Sequence, residues 1–204
     1  SDKSDEIHGI LASITSPLNF SDVFVPAENI IGGVTGQGLK QASKVFGYTR
    51  LMVASMALGG GEAALDIVVP YAKERIQFKT PLSEKQGYTH KLVVPHAVRL
   101  AAAATYIDEV ATRLDAGEQG LEVEGSIAKL FATESANKAA DDAMQALGGY
   151  GYINEYGVEK IKRDVKITCI YEGTSEIQQN IISTFRWKAT RKSKGAFYND
   201  IADE

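Results

Sequence analysis

The stretch Val93–Leu114 reads VVPHAVRLAAAATYIDEVATRL. Val93, Ala97, Leu100, Ala104, Ile107, Ala111 and Leu114 recur at alternating spacings of four and three, which sets one apolar stripe along a helix. Working outward, the same helical character begins near Gln86, so one helix is predicted over about 86–114. Upstream, residues 39–77 hold few breakers apart from Gly59-Gly60-Gly61 and Pro70. Pro70 has no N–H to bond the Asp66 carbonyl, so a kink is expected there. Downstream, a third helix is predicted over about 121–147, ended by Gly148-Gly149. Asp115-Ala116-Gly117 joins it to the second, and so short a connection makes antiparallel neighbours. Of the 25 alanines, 14 lie between Ala97 and Ala146, where small side chains let helices approach closely.

After Gly149 the chain turns Tyr-rich and irregular, then a short helix is expected over 158–166. Tyr171-Glu172-Gly173-Thr174 reads as a loop before a last helix running from Ser175 to about Thr190. Ser175 and Gln178 have the spacing of a capping box. The fold class is therefore all-α, an antiparallel up-down helix bundle. The N-terminal part differs. Phe20 to Pro26 is a short aromatic and β-branched run stopped by proline, a β-like remnant barred from continuing as a central strand. Gly32, Gly33, Gly36 and Gly38 follow as a loop. The organisation expected is an N-terminal remnant and linker over 1–36, a four-helix-bundle domain over 37–190, and a charged tail over 191–204.

Composition narrows the classes of function. Lys and Arg number 22 against 26 Asp and Glu, a net charge of −4, which argues against a general nucleic-acid binder. A single Cys169 excludes an internal disulfide framework and a Cys-based zinc cluster, and three scattered histidines give no metal site. No unbroken apolar run approaches the roughly 18 residues of a membrane span. The first residues, Ser1-Asp2-Lys3-Ser4-Asp5, lack the pattern of a secretory signal, so a cytoplasmic protein is expected, or one of the mitochondrial matrix. A start without methionine leans towards a piece of a longer polypeptide.

Several residues are candidates for chemistry. Gly36-Gln37-Gly38 begins like a dinucleotide fingerprint, but Gln41 occupies the third glycine's place; Gly148-Gly149-Tyr150-Gly151 follows a helix rather than a strand. Glu172 stands in a loop just before a helix. It is either a capping carboxylate favoured by the helix dipole, or a general base on a backbone that Gly173 opens to a ligand. Arg75 and Lys79 flank Phe78 at the end of the first helix, as ordinary dipole partners or as an anion and ring-stacking site. Cys169 has no histidine nearby and reads as a structural thiol.

Taken in order, four segments resemble the C-terminal helical domain of the acyl-CoA dehydrogenase family. Phe20–Gly32 resembles the exit from that family's middle β domain. Arg75-x-Gln77-Phe78-x-x-Pro81-Leu82-x-x-x-Gln86 resembles the segment reaching the flavin of a neighbouring subunit. Gln145-Ala-Leu-Gly148-Gly149-Tyr-Gly151 resembles the loop beside the FAD adenosine and pyrophosphate. Arg163-Asp164 and Ile170-Tyr171-Glu172-Gly173-Thr174-Ser175-Glu176-Ile177-Gln178 resemble the segment holding the catalytic base. The resemblance covers roughly residues 20–188.

What the resemblance implies is specific. Glu172 would remove the α-proton of a fatty acyl-CoA thioester, with hydride passing from the β-carbon to FAD and trans-2-enoyl-CoA leaving. The Glu172 backbone N–H and a flavin hydroxyl would polarise the thioester. Arg75, Phe78, Gln86, Gln145, Gly148 and Gly149 would serve FAD across a subunit boundary, and Thr174 and Glu176 within their own subunit. Arg50 and Gly173 would lie at the substrate. Some members carry the base just before that arginine, where this chain has Thr49, which cannot act as one. Gly47 stands where an acid is common, and Lys79 where a glycine is common. An electron-transfer flavoprotein or similar acceptor, and a homo-oligomer (dimer or tetramer), are implied as partners. The family's N-terminal helical domain and most of its β domain are not in this sequence, so the piece alone is expected to be inactive. An acyl-CoA oxidase relative and a non-catalytic helical assembly module are the alternatives.

Overall fold

Small residues line the most extensive helix contact among the described residues. In the computed structural model, which describes residues 4–193 and side chains through residue 188, α1 spans Gly38–Glu74 and α4 spans Glu122–Leu147. A Cβ on Gly125 would stand 2.5 Å from the Gly47 carbonyl oxygen, and one on Gly61 3.1 Å from Ala136 Cα. Further along, Tyr71 Oη donates to the Leu147 carbonyl at 3.3 Å. Because both numbers rise together, α1 and α4 run parallel. Ala54, Ala57 and Ala64 on one side, and Ala132, Ala136, Ala139, Ala140 and Ala143 on the other, are all fully buried. Such contacts gain little each in dispersion, but close backbones make many of them.

α3 (Val94–Asp115) packs antiparallel across this pair. Leu100 lies against Gly61, while Ala103, Ile107 and Val110 share a cluster with Leu51 and Ala54. At its start, His96 Nε2 is 2.7 Å from Asp142 Oδ2, which joins α3 to the far end of α4. α6 (Ser175–Ser193) also runs antiparallel to α4, with Ser175 beside Glu134 and Phe185 sharing a groove with Val123. Thus α1, α3, α4 and α6 alternate in direction as an up-down bundle, and its first and third members meet as the parallel pair. Two fully buried valines, Val68 in α1 and Val110 in α3, each contribute about 1.5–3 kcal/mol of transfer free energy.

The predicted stripe on α3 is shifted. His96, Leu100, Ala103, Ile107 and Val110 are the buried positions, whereas Ala97 is exposed. Leu100 and Ile107 belong to both sets, and the face turns because α3 lies over the seam between α1 and α4. The single helix expected over 86–114 is in fact two, α2 (Gln86–Leu92) and α3. The break falls at Val93, with φ −126° and ψ −61°. Pro95 cannot donate to the Lys91 carbonyl, so the chain restarts with proline in the first turn. α1 ends at Glu74, before the predicted limit, and gives way to a hairpin of β1 (Ile76–Gln77) and β2 (Thr80–Pro81). Ile76 faces Pro81 and Gln77 faces Thr80. Phe78 and Lys79 form its two-residue turn at φ 52° and 71°, the positive pair such a turn requires.

Residues 20–26 form no strand. Phe20 and Phe24 are largely exposed, because among the described residues no neighbouring strand offers this run a ladder. The segment ahead of it is fastened to α5 (Val158–Lys166): Ile10 N–H donates to Asp164 Oδ1 at 2.7 Å, and Arg163 donates to the His8 carbonyl. The predicted tail beyond residue 193 lies outside the described residues. α1 also qualifies the reading of hydropathy. It holds an 18-residue window of mean hydropathy 1.5, long and apolar enough to cross a bilayer by length and composition. Its buried alanines nevertheless pack on α4, as in a core helix.

The helix contacts give a paired expectation. Gly125→Ala forces a methyl onto the Gly47 carbonyl and should cost about 1–3 kcal/mol. Gly59→Ala, in an open position on the same helix pair, should gain about 0.5–1 kcal/mol. Urea unfolding of the two variants checks both signs.

Candidate functional site

Glu172 sits in a left-handed conformation, φ 57°, followed by Gly173 at φ 93°. For a non-glycine residue this costs of order 1–3 kcal/mol and persists only where surroundings enforce it. The enforcement is visible. Arg50 Nε donates to the Glu172 carbonyl at 3.1 Å, and Gln178 Nε2 donates to the Glu172 and Gly173 carbonyls at 3.1 and 2.8 Å. Lys129 Nζ donates to the Gly173 carbonyl at 2.7 Å. Both carbonyls of the turn therefore point into the bundle. The half-buried Glu172 carboxylate takes a bond from Thr49 Oγ1, Oε2 to Oγ1 2.7 Å.

Each donor comes from a bundle helix: Thr49 and Arg50 from α1, Lys129 from α4, Gln178 from α6. Arg50 is 6% exposed, stacks over the Phe46 ring at 5.3 Å, and gives Nη1 to Ser126 Oγ at 3.2 Å. Burial lowers its pKa, against the raising influence of Glu172 and Glu122. Burial likewise lowers Lys129, with Glu134 and Glu172 acting in the other direction. Burial raises the Tyr171 hydroxyl, and Glu172 adds to it. Thr174 caps α6, its Oγ1 accepting from Ile177 N–H at 3.4 Å. The capping box expected between Ser175 and Gln178 is absent: Ser175 Oγ bonds Glu134 Oε1, and Gln178 turns back to the carbonyls. Glu176 is exposed in the first turn, held below the usual carboxylate range by its own backbone N–H and the Thr174 hydroxyl.

A second cluster occupies the other end of the α1–α4 pair, about 35 Å away along α1 at the rise of a helix. Here a cleft of about 550 Å³ is lined by Arg75, Gln145, Gly148, Gly149, Tyr88 and Tyr150 among others. α4 ends at Gly148, whose φ 61° and ψ −134° only glycine adopts readily. The last carbonyls of α4 are capped by tyrosines, Tyr71 Oη to Leu147 and Tyr88 Oη to Ala146 at 3.1 Å. That burial pushes the Tyr88 hydroxyl up to about 12, with Tyr71 adding to it. A Cβ on Gly148 or Gly149 would meet nothing within 4 Å, so bare backbone faces the cleft. Arg75 lies over the Tyr150 ring at 5.9 Å, and Tyr150 stacks on Tyr156 at 4.8 Å. A cation, aromatic walls and unshielded backbone fit a ligand with phosphate and a flat ring. Phe78, on the hairpin turn beside this cleft, is 90% exposed with Lys85 Nζ 5.8 Å from its ring; Gln86 is exposed at the start of α2.

The family model for the acyl-CoA dehydrogenase C-terminal domain matches residues 36–185. The chain belongs to this family. An acyl-CoA dehydrogenase of Bacillus subtilis (strain 168) is 42% identical over 185 residues, covering 90% of this chain and 48% of the relative. Subunit CarC of the caffeyl-CoA reductase–Etf complex of Acetobacterium woodii is 38% identical over 181 residues, covering 89% and 47%. The solved butyryl-CoA dehydrogenase of Megasphaera elsdenii superposes with a TM-score of 0.86 at 39% identity, over 91% of this chain and 48% of that one. The chain thus spans about half the length of the relatives it matches.

Within this acyl-CoA dehydrogenase domain the residues singled out from sequence fall into two groups. Glu172, Gly173, Arg50, Thr174 and Glu176 gather at one end; Arg75, Gln145, Gly148 and Gly149 line the cleft at the other, with Phe78 and Gln86 at its margin. Lys129 and Ser126 were not singled out, and Gln178 reads from sequence only as half of a capping box. Lys129 had a signal: it interrupts the Gly125–Ala128–Ala132 stripe as a lone cation among small residues. Arg50 joins the Glu172 carbonyl, Ser126 and the Phe46 ring, and lysine lacks its fork. Arg50→Lys should lower folding stability by about 1–3 kcal/mol, read by urea denaturation.

Proposed function

We propose that this chain is the base-bearing half of an FAD-dependent acyl-CoA dehydrogenase, forming trans-2-enoyl-CoA from an acyl-CoA. The observation that carries the proposal is the Glu172 carboxylate, held by Thr49 on a strained turn whose carbonyls are all drawn into the bundle. A solvated capping glutamate needs no such support.

Glu172 takes the α-proton of the thioester onto its carboxylate, a step for which a positioned base is worth about 10²–10⁴-fold. Thr49 fixes the direction from which the carboxylate approaches. The Glu172 backbone N–H donates to the thioester carbonyl, stabilising the charge that develops there. Bound FAD supplies the hydride acceptor for the β-carbon. Gly148 and Gly149 hold phosphate through backbone beside Arg75, with Phe78 and Gln86 alongside, while Thr174 and Glu176 contact the flavin of their own subunit. The distance between the two clusters supports a cofactor shared by two copies, hence a homo-oligomer. An electron-transferring flavoprotein as acceptor is supported by the name of the Acetobacterium relative. That name also favours a second reading, reduction of an enoyl-CoA, in which Glu172 returns the proton it otherwise removes.

Glu172→Gln, made in flavin-loaded enzyme containing this chain, should cut turnover at least about 100-fold with KM and flavin content unchanged. Near-normal turnover would leave only an assembly role. The 204-residue chain by itself should purify colourless and inactive; stoichiometric flavin would overturn the two-copy, two-half reading of the cofactor site.

A further inference from the structure

Lys129 is the largest side chain buried without exposure in the structure, and Gln178 is also at 0%. A buried ammonium is expensive unless a carboxylate pairs with it. Among the described residues the ion pairs do not include Lys129; its bond goes to a neutral group, the Gly173 carbonyl. Gln178 is used just as narrowly. Its Nε2 serves the Glu172 and Gly173 carbonyls, while its Oε1 is left buried with no partner. Neither arrangement is what folding stability alone would choose. An apolar residue of similar volume would avoid the desolvation of Lys129, and a partner for Oε1 would serve Gln178 better.

What the two side chains share is their target. They come from facing helices, α4 and α6, and converge on the carbonyl of Gly173, the residue after the candidate base. Drawing that carbonyl inward holds Gly173 at φ 93° and Glu172 at φ 57°. Released, Glu172 has a lower-energy backbone available in the ordinary right-handed or extended regions, and its side chain would swing with it.

We propose that Lys129 and Gln178 are positioning residues, a two-helix clamp on the Gly173 carbonyl that aims Glu172 at its substrate. This rests on Glu172 being the base. The clamp trades stability for aim, so the two can be separated. A misplacement of about 1 Å at a reacting group can cost about 100-fold in rate.

The experiment compares Lys129→Met, Gln178→Met and Glu172→Gln in the flavin-loaded enzyme. Lys129→Met should leave the urea midpoint equal or higher, because the buried charge is gone and Gln178 still holds the carbonyl. Its kcat should fall about tenfold or more with KM nearly unchanged, and amide hydrogen exchange across residues 171–175 should speed up. Gln178→Met should show the same split. Normal kcat in both variants, with Glu172→Gln inactive, overturns the clamp and leaves the base. Normal kcat in Glu172→Gln overturns both. If both methionine variants fail to fold, or lose rate only in proportion to lost flavin, the pair holds the fold and the assignment is overturned.

Discussion

The parallel contact of α1 with α4 is the constraint on which the rest depends. Two helices can touch over so many turns only if their facing residues are glycine and alanine, and the Gly125 to Gly47 approach shows how little room remains. That approach leaves a shallow seam on each side. α3 fills one with leucine and isoleucine, and α6 crosses the N-terminal half of α4. The four donors to the Glu172 turn, Thr49, Arg50, Lys129 and Gln178, come from the three helices that meet around this contact. Loosening it by an ångström would move every one of them relative to Glu172.

The Glu172 turn is where the structure departs from economy. Most of the bundle follows local preference: α3 stops just before Gly117, and α4 stops at Gly148 with tyrosine hydroxyls on its last carbonyls. At Glu172 a non-glycine residue is held left-handed by a guanidinium, an amide and an ammonium taken out of water. Groups held in this way respond little to ionic strength, since salt screens buried charges weakly. The other cluster is built on the opposite plan. The cleft at Gly148 is open, aromatic and lined by backbone, and the unusual dihedrals at the end of α4 fall on glycine.

Periodicity and breakers made much of the fold legible. The short helix over 158–166, the Gly148 stop and the turn before Ser175 all follow from residue types, because glycine and proline act locally. The misses have tertiary causes. Pro95 was visible, but whether a helix bends or restarts there depends on what α2 packs against. The stripe on α3 is offset because spacing gives a face without giving the seam it must fill. Phe20–Pro26 has the side chains of a strand but, among the described residues, no neighbouring strand to pair with. At the site, Glu172 stood out by its place before a helix and by resemblance. Arg50 was noticed for a different task from the bonds it makes to the Glu172 carbonyl and Ser126. Gln178 reads as half of a cap, since the spacing that makes a capping box is the same spacing that lets a side chain fold back over a turn.

One consequence follows from the placement of the two clusters at opposite ends of a rigid helix pair. The two clusters share no side chain and lie about 35 Å apart at the rise of a helix, so substitutions at the two ends should act independently. Under the proposed function, with each flavin resting on one end of two different copies, subunits broken at different ends would complement one another. A mixed assembly of two inactive alleles would regain a share of intact centres that neither allele forms alone.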